Sequence, residues 1–426
     1  MYDVIVIGAR VAGSPLAMLL ARLGMKVLLV DRATFPSDTL STHMIQLTGT
    51  AALKRLGLLE LVLDTHIDPV RQLTFTLGDI VLQGKYPPLE EVDTVISPRR
   101  FILDKLLVNA AVQAGAELRQ GFLVDELLFE GDKVTGIRGH IKSSQAATDK
   151  KIDEHAHLIV GADGKHSFVA RGVQAEEYYQ TPAQTCAYYT YWAGLQLNGG
   201  EVHNLTQGVV GVFPTNGGLA VIYTAYPVGW FAEVRGDIEG RFWRTMDALP
   251  ELAERVHKGR QAERFFGTAD LPAFYRKAYG PGWALAGDAR MSMDPITGAG
   301  IGHALRDAEL LAKAIGAALG GQADFEAAMK SYQQQREAES LPMYKFTSQL
   351  AAFLPLSVEQ QVFFSALRHK PKASEQFFGA LTGSVPVDQF FSPSSVRSIV
   401  GMTGLARVML SKVRLPWKSQ AREESQ

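Results

Sequence analysis

Three clusters of glycine and acid carry the chemistry in this sequence. The first is Gly8-Ala9-Arg10-Val11-Ala12-Gly13, between the apolar run Val4-Ile5-Val6-Ile7 and the apolar stretch that begins at Pro15. A glycine-bearing turn of this kind, between a buried strand and a helix, turns free backbone N–H groups and a positive dipole end toward a phosphate. Glycine serves where chain and phosphate approach closely, and where helix packs on strand. Gly8 and Gly13 meet the outer positions of a G-x-G-x-x-G turn, and Arg10 stands at the middle one. An arginine cannot act as empty space. Its charged donor fork suits phosphate, so its side chain is expected over or beside a pyrophosphate. Asp31 follows 18 residues after Gly13, at the end of a second apolar run, where an acid binds a ribose hydroxyl. The second cluster is Asp163-Gly164 in "VGADGKHS" and the third is Gly287-Asp288 in "LAGDA", with Arg100 of "RRFILD" between the first two. Each pair alone is a common turn. Their order along one chain is far more specific.

Two folding grammars alternate around these clusters. Residues 2–7 read as a buried parallel strand and "MKVLLVDR" as a second, with a helix between them that has Pro15 in its first turn and Gly24 past its end. "QLTFTLGDIVLQGKY" instead alternates around a Gly78-Asp79 hairpin, and residues 184–271 are rich in short alternating strands and aromatics. From about residue 325 the patterns are helical. The expected fold class is α/β: a Rossmann-like domain interleaved with an antiparallel β-sheet domain, and a helical C-terminal part. The expected division is 1–70, 96–180 and 272–330 for the first, 71–95 and 181–271 for the second, and 331–426 for the third.

Bulk properties narrow the partners. The 426 residues are 46% hydrophobic and 20% charged with a formal net charge of -1, which gives no global signal for nucleic acid. The single cysteine, Cys186, excludes an internal disulfide and fits a reducing cytoplasm. A strand beginning at Tyr2 leaves no room for a secretion leader, and no apolar run approaches the roughly 18 residues of a membrane span. The ten histidines show no metal-binding spacing, so no metal is expected.

With these motifs in order, the sequence resembles the single-component FAD-dependent aromatic monooxygenases of the para-hydroxybenzoate hydroxylase type. The resemblance runs through residues 8–13, "GADGKHSFVAR" at 161–171 and "GDARMSMDPITGAGIG" at 287–302, and covers roughly residues 2–320. Arg10 is the departure, taken as a subgroup variant.

The resemblance implies FAD, with Val11 and Ala12 offering backbone N–H to its pyrophosphate and Asp31 on the adenosine ribose. Arg32 would flank the adenine and Val124 meet it through backbone. Arg100 would reach the pyrophosphate or ribitol, and Asp288 the same region. Pro295, Gly298, Gly300, Ile301 and Gly302 would border the isoalloxazine, at a helix start whose positive end suits a reduced flavin. No second G-x-G-x-x-G stands between strand and helix, so NADH or NADPH would bind only transiently, near Asp163, whose other role is to support its own strand end. The implied reaction is hydroxylation of a small aromatic or polycyclic substrate by O2 through a flavin C4a-hydroperoxide. A halogenase on this scaffold usually shows W-x-W-x-x-P, which none of the five tryptophans forms. "DPITGAGIGHALRDAE" is similar to isoprenoid double-bond reductases, and a non-catalytic redox sensor is the remaining alternative.

Three further features bear on the pocket and the flank. His43 in "SDTLSTHMI" is a candidate donor to FAD or proton relay, or alternatively a packing or capping residue. On the strand Tyr188-Tyr189-Thr190-Tyr191-Trp192, alternation places Tyr188 and Trp192 on one face and Tyr189 and Tyr191 on the other. The candidate substrate wall is Tyr188 and Trp192 with Phe213 and Tyr223. Residues 394–418 put Ile399, Met402, Leu405 and Met409 at helical spacing, with Arg397, Arg407, Lys412, Arg414 and Lys418 making the segment basic. It is expected to pack on the enzyme's own flank and not to anchor it to a membrane.

Overall fold

In the computed structural model, residues 1–142 and 150–413 are described. The Rossmann-like half is built on a central parallel run. Strand Tyr2–Ile7 lies between Val27–Asp31 and Ile152–Gly161, with Glu117–Gln120 beyond the one and Trp283–Leu285 beyond the other. Val4, Ile5 and Val6 and residues 28–30 are fully buried, which explains why these strands read as continuous apolar runs and not as alternation. Helices Gly13–Arg22, Arg100–Gln113 and Gly300–Leu319 pack together on one face. An antiparallel hairpin, Phe122–Glu130 with Lys133–Ile141, joins the edge of Ile152–Gly161.

The second sheet carries Thr185–Ala193, Leu219–Pro227, Gly208–Thr215 and Gly200–Leu205 in antiparallel order, and then the hairpin Gln72–Leu77 and Ile80–Lys85. That hairpin turns at Gly78-Asp79, as expected. One pairing departs from the antiparallel expectation: Gly200–Leu205 runs parallel to Gln72–Leu77, because the two strands come from distant parts of the chain and need no tight turn. Residue 331, the expected boundary, lies inside helix Phe325–Ala351, whose Ala328, Met329 and Tyr332 are buried in the main core.

The last helix, Pro393–Val413, is kinked at Gly401, whose φ is 65°. Ile399 and Val400 are buried in the main core, while Met402 is 80% exposed. The expected single apolar stripe is therefore corrected: the kink breaks the helical phase after Val400. The side chains of Leu405, Arg407, Met409 and Lys412, and the whole of Arg414 and Lys418, lie outside the described residues. Among the described residues no helix is long and apolar enough to cross a membrane.

Candidate active site

A cleft of about 800 Å3 opens where the two sheets face each other. The first glycine cluster borders it through Gly8, Arg10, Val11 and Ala12. Gly8 has φ 102°, and a Cβ there would lie 2.3 Å from the carbonyl oxygen of Ala162, so only glycine fits. Gly13 packs on the strand: a Cβ would stand 1.8 Å from the Gly8 carbonyl oxygen. No side chain caps helix Gly13–Arg22, nor Gly300–Leu319, whose start also borders the cleft. Both helix starts therefore keep backbone donors for an anionic or electron-rich ligand.

Arg10 lines the cleft and is also held by its wall. Its guanidinium lies 2.5 Å from Asp104 Oδ2, 3.3 Å from the Ser37 carbonyl oxygen, and over the Phe35 ring at 5.5 Å. Arg100 donates to the same fully buried carboxylate, with Nη2 3.1 Å from Asp104 Oδ1. The middle glycine is replaced by a side chain that reaches sideways into the wall. Asp104 was not singled out in the sequence, although its i,i+4 spacing from Arg100 is the signal that could have found it.

Asp31 accepts from Ala9 N at 2.7 Å through Oδ2 and from Ala33 N at 2.7 Å through Oδ1. It shapes the turn while still facing the cleft. Asp163 caps helix Phe168–Gly172 by accepting from Phe168 N at 2.6 Å, and its Oδ1 is buried without a partner. Burial pushes its carboxyl up. Asp288 is exposed to the cleft and has no hydrogen bond among the described residues. Protein walls around it push its carboxyl up, and the charges of Arg100 and Lys165 oppose that. The turn before it is fixed from behind: Asp307, fully buried, accepts from Gly287 N at 2.8 Å and is gripped by Arg290 and Arg336.

Gly8, Arg10, Val11, Ala12, Asp31, Arg32, Arg100, Val124, Asp163, Asp288, Pro295, Gly298, Gly300 and Ile301 all line this one cleft. Gly302 does not. It faces helix Leu47–Leu56, where a Cβ would meet Thr48 Oγ1 at 2.9 Å, so its smallness serves helix packing.

The aromatic wall is corrected in face. Tyr189 pairs across the sheet with Tyr223, and both line the cleft. Tyr188 lies on the other side against Cys186, Tyr226 and Phe231. Trp192 is there too, packed with Val212, Ile222 and Phe242, with Nε1 donating to the Val256 carbonyl at 2.9 Å. Alternation separates the two pairs correctly, but helices 231–258 cover the Tyr188 and Trp192 face, a fact the strand alone does not carry. Phe213 shares the face of Tyr223 yet packs beside the cleft without lining it.

His43 sits behind the wall, fully buried, with φ 61°. Its Nε2 is 2.5 Å from the Tyr191 hydroxyl, its ring meets Tyr189 edge-on at 5.4 Å, and Nδ1 has no partner. Burial, reinforced by Arg100 and Arg99, pushes its pKa down to about 3, so the ring is neutral near pH 7. At the rim, Lys165 and His166 share Asp270, the latter at 2.6 Å; the sequence reading passed over all three. Among the described residues no group of His, Cys, Asp and Glu could hold a metal ion.

A parallel sheet, a glycine turn at its carboxyl edge and two uncapped helix starts facing one cleft define a dinucleotide-binding oxidoreductase scaffold. Residues 1–347 match the family model described as FAD binding domain, and the chain belongs to that family. It is 22% identical over 370 residues to tryptophan 2-halogenase of Chondromyces crocatus, covering 85% of this chain and 69% of that one. It is 28% identical over 331 residues to digeranylgeranylglycerophospholipid reductase of Methanosarcina mazei, covering 74% of each. In fold it is similar to PqsL of Pseudomonas aeruginosa, described as "a probable FAD-dependent monooxygenase". There the TM-score is 0.67 at 19% identity, covering 88% of this chain and 99% of that one. The protein is an FAD-dependent enzyme of the oxidoreductase type.

Proposed function

We propose that the protein is a monooxygenase that uses NADH or NADPH and O2 to hydroxylate a small aromatic or polycyclic substrate. The observation that carries the reading is that the cofactor cleft and an aromatic floor from the second sheet form one continuous cavity, with Tyr189 and Tyr223 on its far side. Bound FAD would supply the redox chemistry and the activation of O2. The chain's own contribution is to hold and enclose. Gly8 and the start of helix Gly13–Arg22 admit the pyrophosphate, Asp31 takes a ribose hydroxyl, and Asp288 takes the polyol chain with its free carboxylate. The start of helix Gly300–Leu319 offers amide donors at the other end. Tyr189 and Tyr223 orient a flat substrate by ring packing, and the buried surround excludes water.

The fit to FAD rests on the tight glycine turn at Gly8, with φ 102°, and on the two helix starts left without side-chain caps. In this reading His43 is a neutral partner that fixes the Tyr191 hydroxyl behind the wall. The test is oxygen uptake with NADH or NADPH in the presence of phenols, run beside an assay for reduction of an isoprenoid double bond. Ligand-stimulated oxygen uptake with a hydroxylated product supports the reading. Alkene reduction without oxygen uptake replaces it with the reductase alternative.

A further inference from the structure

We propose that the substrate end of this cleft takes an uncharged aromatic ligand, and that Asp294 is the residue that turns away carboxylates and phosphates. The inference rests on the reading that FAD occupies the Rossmann-like side of the cleft.

The charges are distributed unevenly along the cavity. Its cations come from the Rossmann-like half, and most already have partners: Arg10 and Arg100 on Asp104, Lys165 and His166 on Asp270. The wall from the second sheet is different. Ala187, Tyr189, Tyr223, Gly267 and Leu271 present rings, methyl groups and backbone, and the polar Thr268 and Asp270 beside them add no cation, Asp270 being taken up by Lys165 and His166. Arg99, behind this wall, is spent elsewhere: it lies 2.9 Å from Glu263 and 3.7 Å over the Tyr191 ring, and it does not line the cleft.

Asp294 closes this end. It lines the cleft yet is only 5% exposed. Its Oδ2 accepts from Thr185 Oγ1 at 2.6 Å and its Oδ1 from Ile296 N at 3.0 Å. No cation pairs with it among the described residues. It therefore stands as a buried acid without a counter-ion. Burial pushes its carboxyl up, and its two donors hold it down. Its charge reaches Tyr223, whose hydroxyl it helps to push further up.

A ligand carboxylate brought to this end would lose its water, find only cations already paired with acids, and face Asp294. All three effects oppose binding. A neutral ring of the same shape meets none of them and packs on Tyr189 and Tyr223. Discrimination here is built from an unfavourable element as much as from an attractive one.

The experiment uses the FAD-loaded full chain and two probes on one ring system, 2-naphthol and 2-naphthoate. Binding is read by perturbation of the flavin absorbance and by equilibrium dialysis. Uptake of FAD is measured first; a chain that takes up none overturns the proposed function and the inference with it, whereas a chain that takes up FAD and fails the comparison overturns the inference alone. The expected result is naphthol binding at least about tenfold tighter than naphthoate. In D294N the gap should narrow about tenfold, mainly through tighter naphthoate. Equal or tighter binding of naphthoate to the wild-type chain overturns the inference, as does binding of neither probe or an unchanged gap in D294N. The wild-type comparison decides the ligand class even where D294N fails to fold.

Discussion

Arg10 Nη1 lies 2.5 Å from Asp104 Oδ2, tying the phosphate-binding turn to the helix that carries Arg100. Asp104 is fully buried and serves both arginines. The residue that breaks the glycine pattern thus gains a partner that the pattern does not include. Removing that partner leaves a nearly buried Arg100 without its charge, a situation that costs about 3–5 kcal/mol. Asp104→Ala is expected to lower the melting temperature of the apoprotein sharply and to weaken FAD as well. An unchanged melt would mean that the pair carries no structural load.

Asp288→Ala should weaken FAD more than Arg10→Gly does. Asp288 has no other partner, so its contribution to a bound polyol is a charge-assisted hydrogen bond worth about 1.5–3 kcal/mol. Arg10→Gly restores the close backbone approach of a standard glycine turn and leaves Asp104 still held by Arg100. Fluorescence titration of apoprotein with FAD measures both. A larger loss in Arg10→Gly would contradict the assignment of its guanidinium to the wall.

His43 and His303 are both pushed down to about 3, first by burial. Their unfolded values lie near 6.5. Between about pH 6.5 and 3 the unfolded chain binds protons that the folded chain does not, so stability falls as pH falls through that window. Each group contributes a slope of about 1.4 kcal/mol per pH unit there. His43→Asn, chosen because asparagine tolerates the left-handed backbone, should flatten the acid limb of a stability-against-pH curve. An acid limb identical to the wild type would show that His43 titrates normally.

Truncation after Pro393 should lower the melting temperature, because it removes Ile399 and Val400 from a core they share with Phe363 and Phe390. Sedimentation with anionic liposomes at physiological salt should be the same for the full and truncated chains. Retention of the full chain alone on liposomes would reverse the docking assigned to this segment.

The sequence by itself determined the scaffold and the order of its parts. Short apolar runs that end in tight turns favour a buried parallel sheet, and Gly8, Asp163 and Asp288 each follow such a strand while Asp31 ends one. Local chemistry was enough there, because the turn, the strand end and the helix start are neighbours in the chain. What only the tertiary structure decided was which face meets which partner. Alternation told Tyr188 and Trp192 from Tyr189 and Tyr191, but helices some 40 to 70 residues later cover one face and leave the other to the cleft. Arg10 likewise found Asp104 at a separation of 94 residues, and His43 found Tyr191 at 148. A side chain's period is written in its own strand; its partner across the cleft is set by how distant segments close around one cavity.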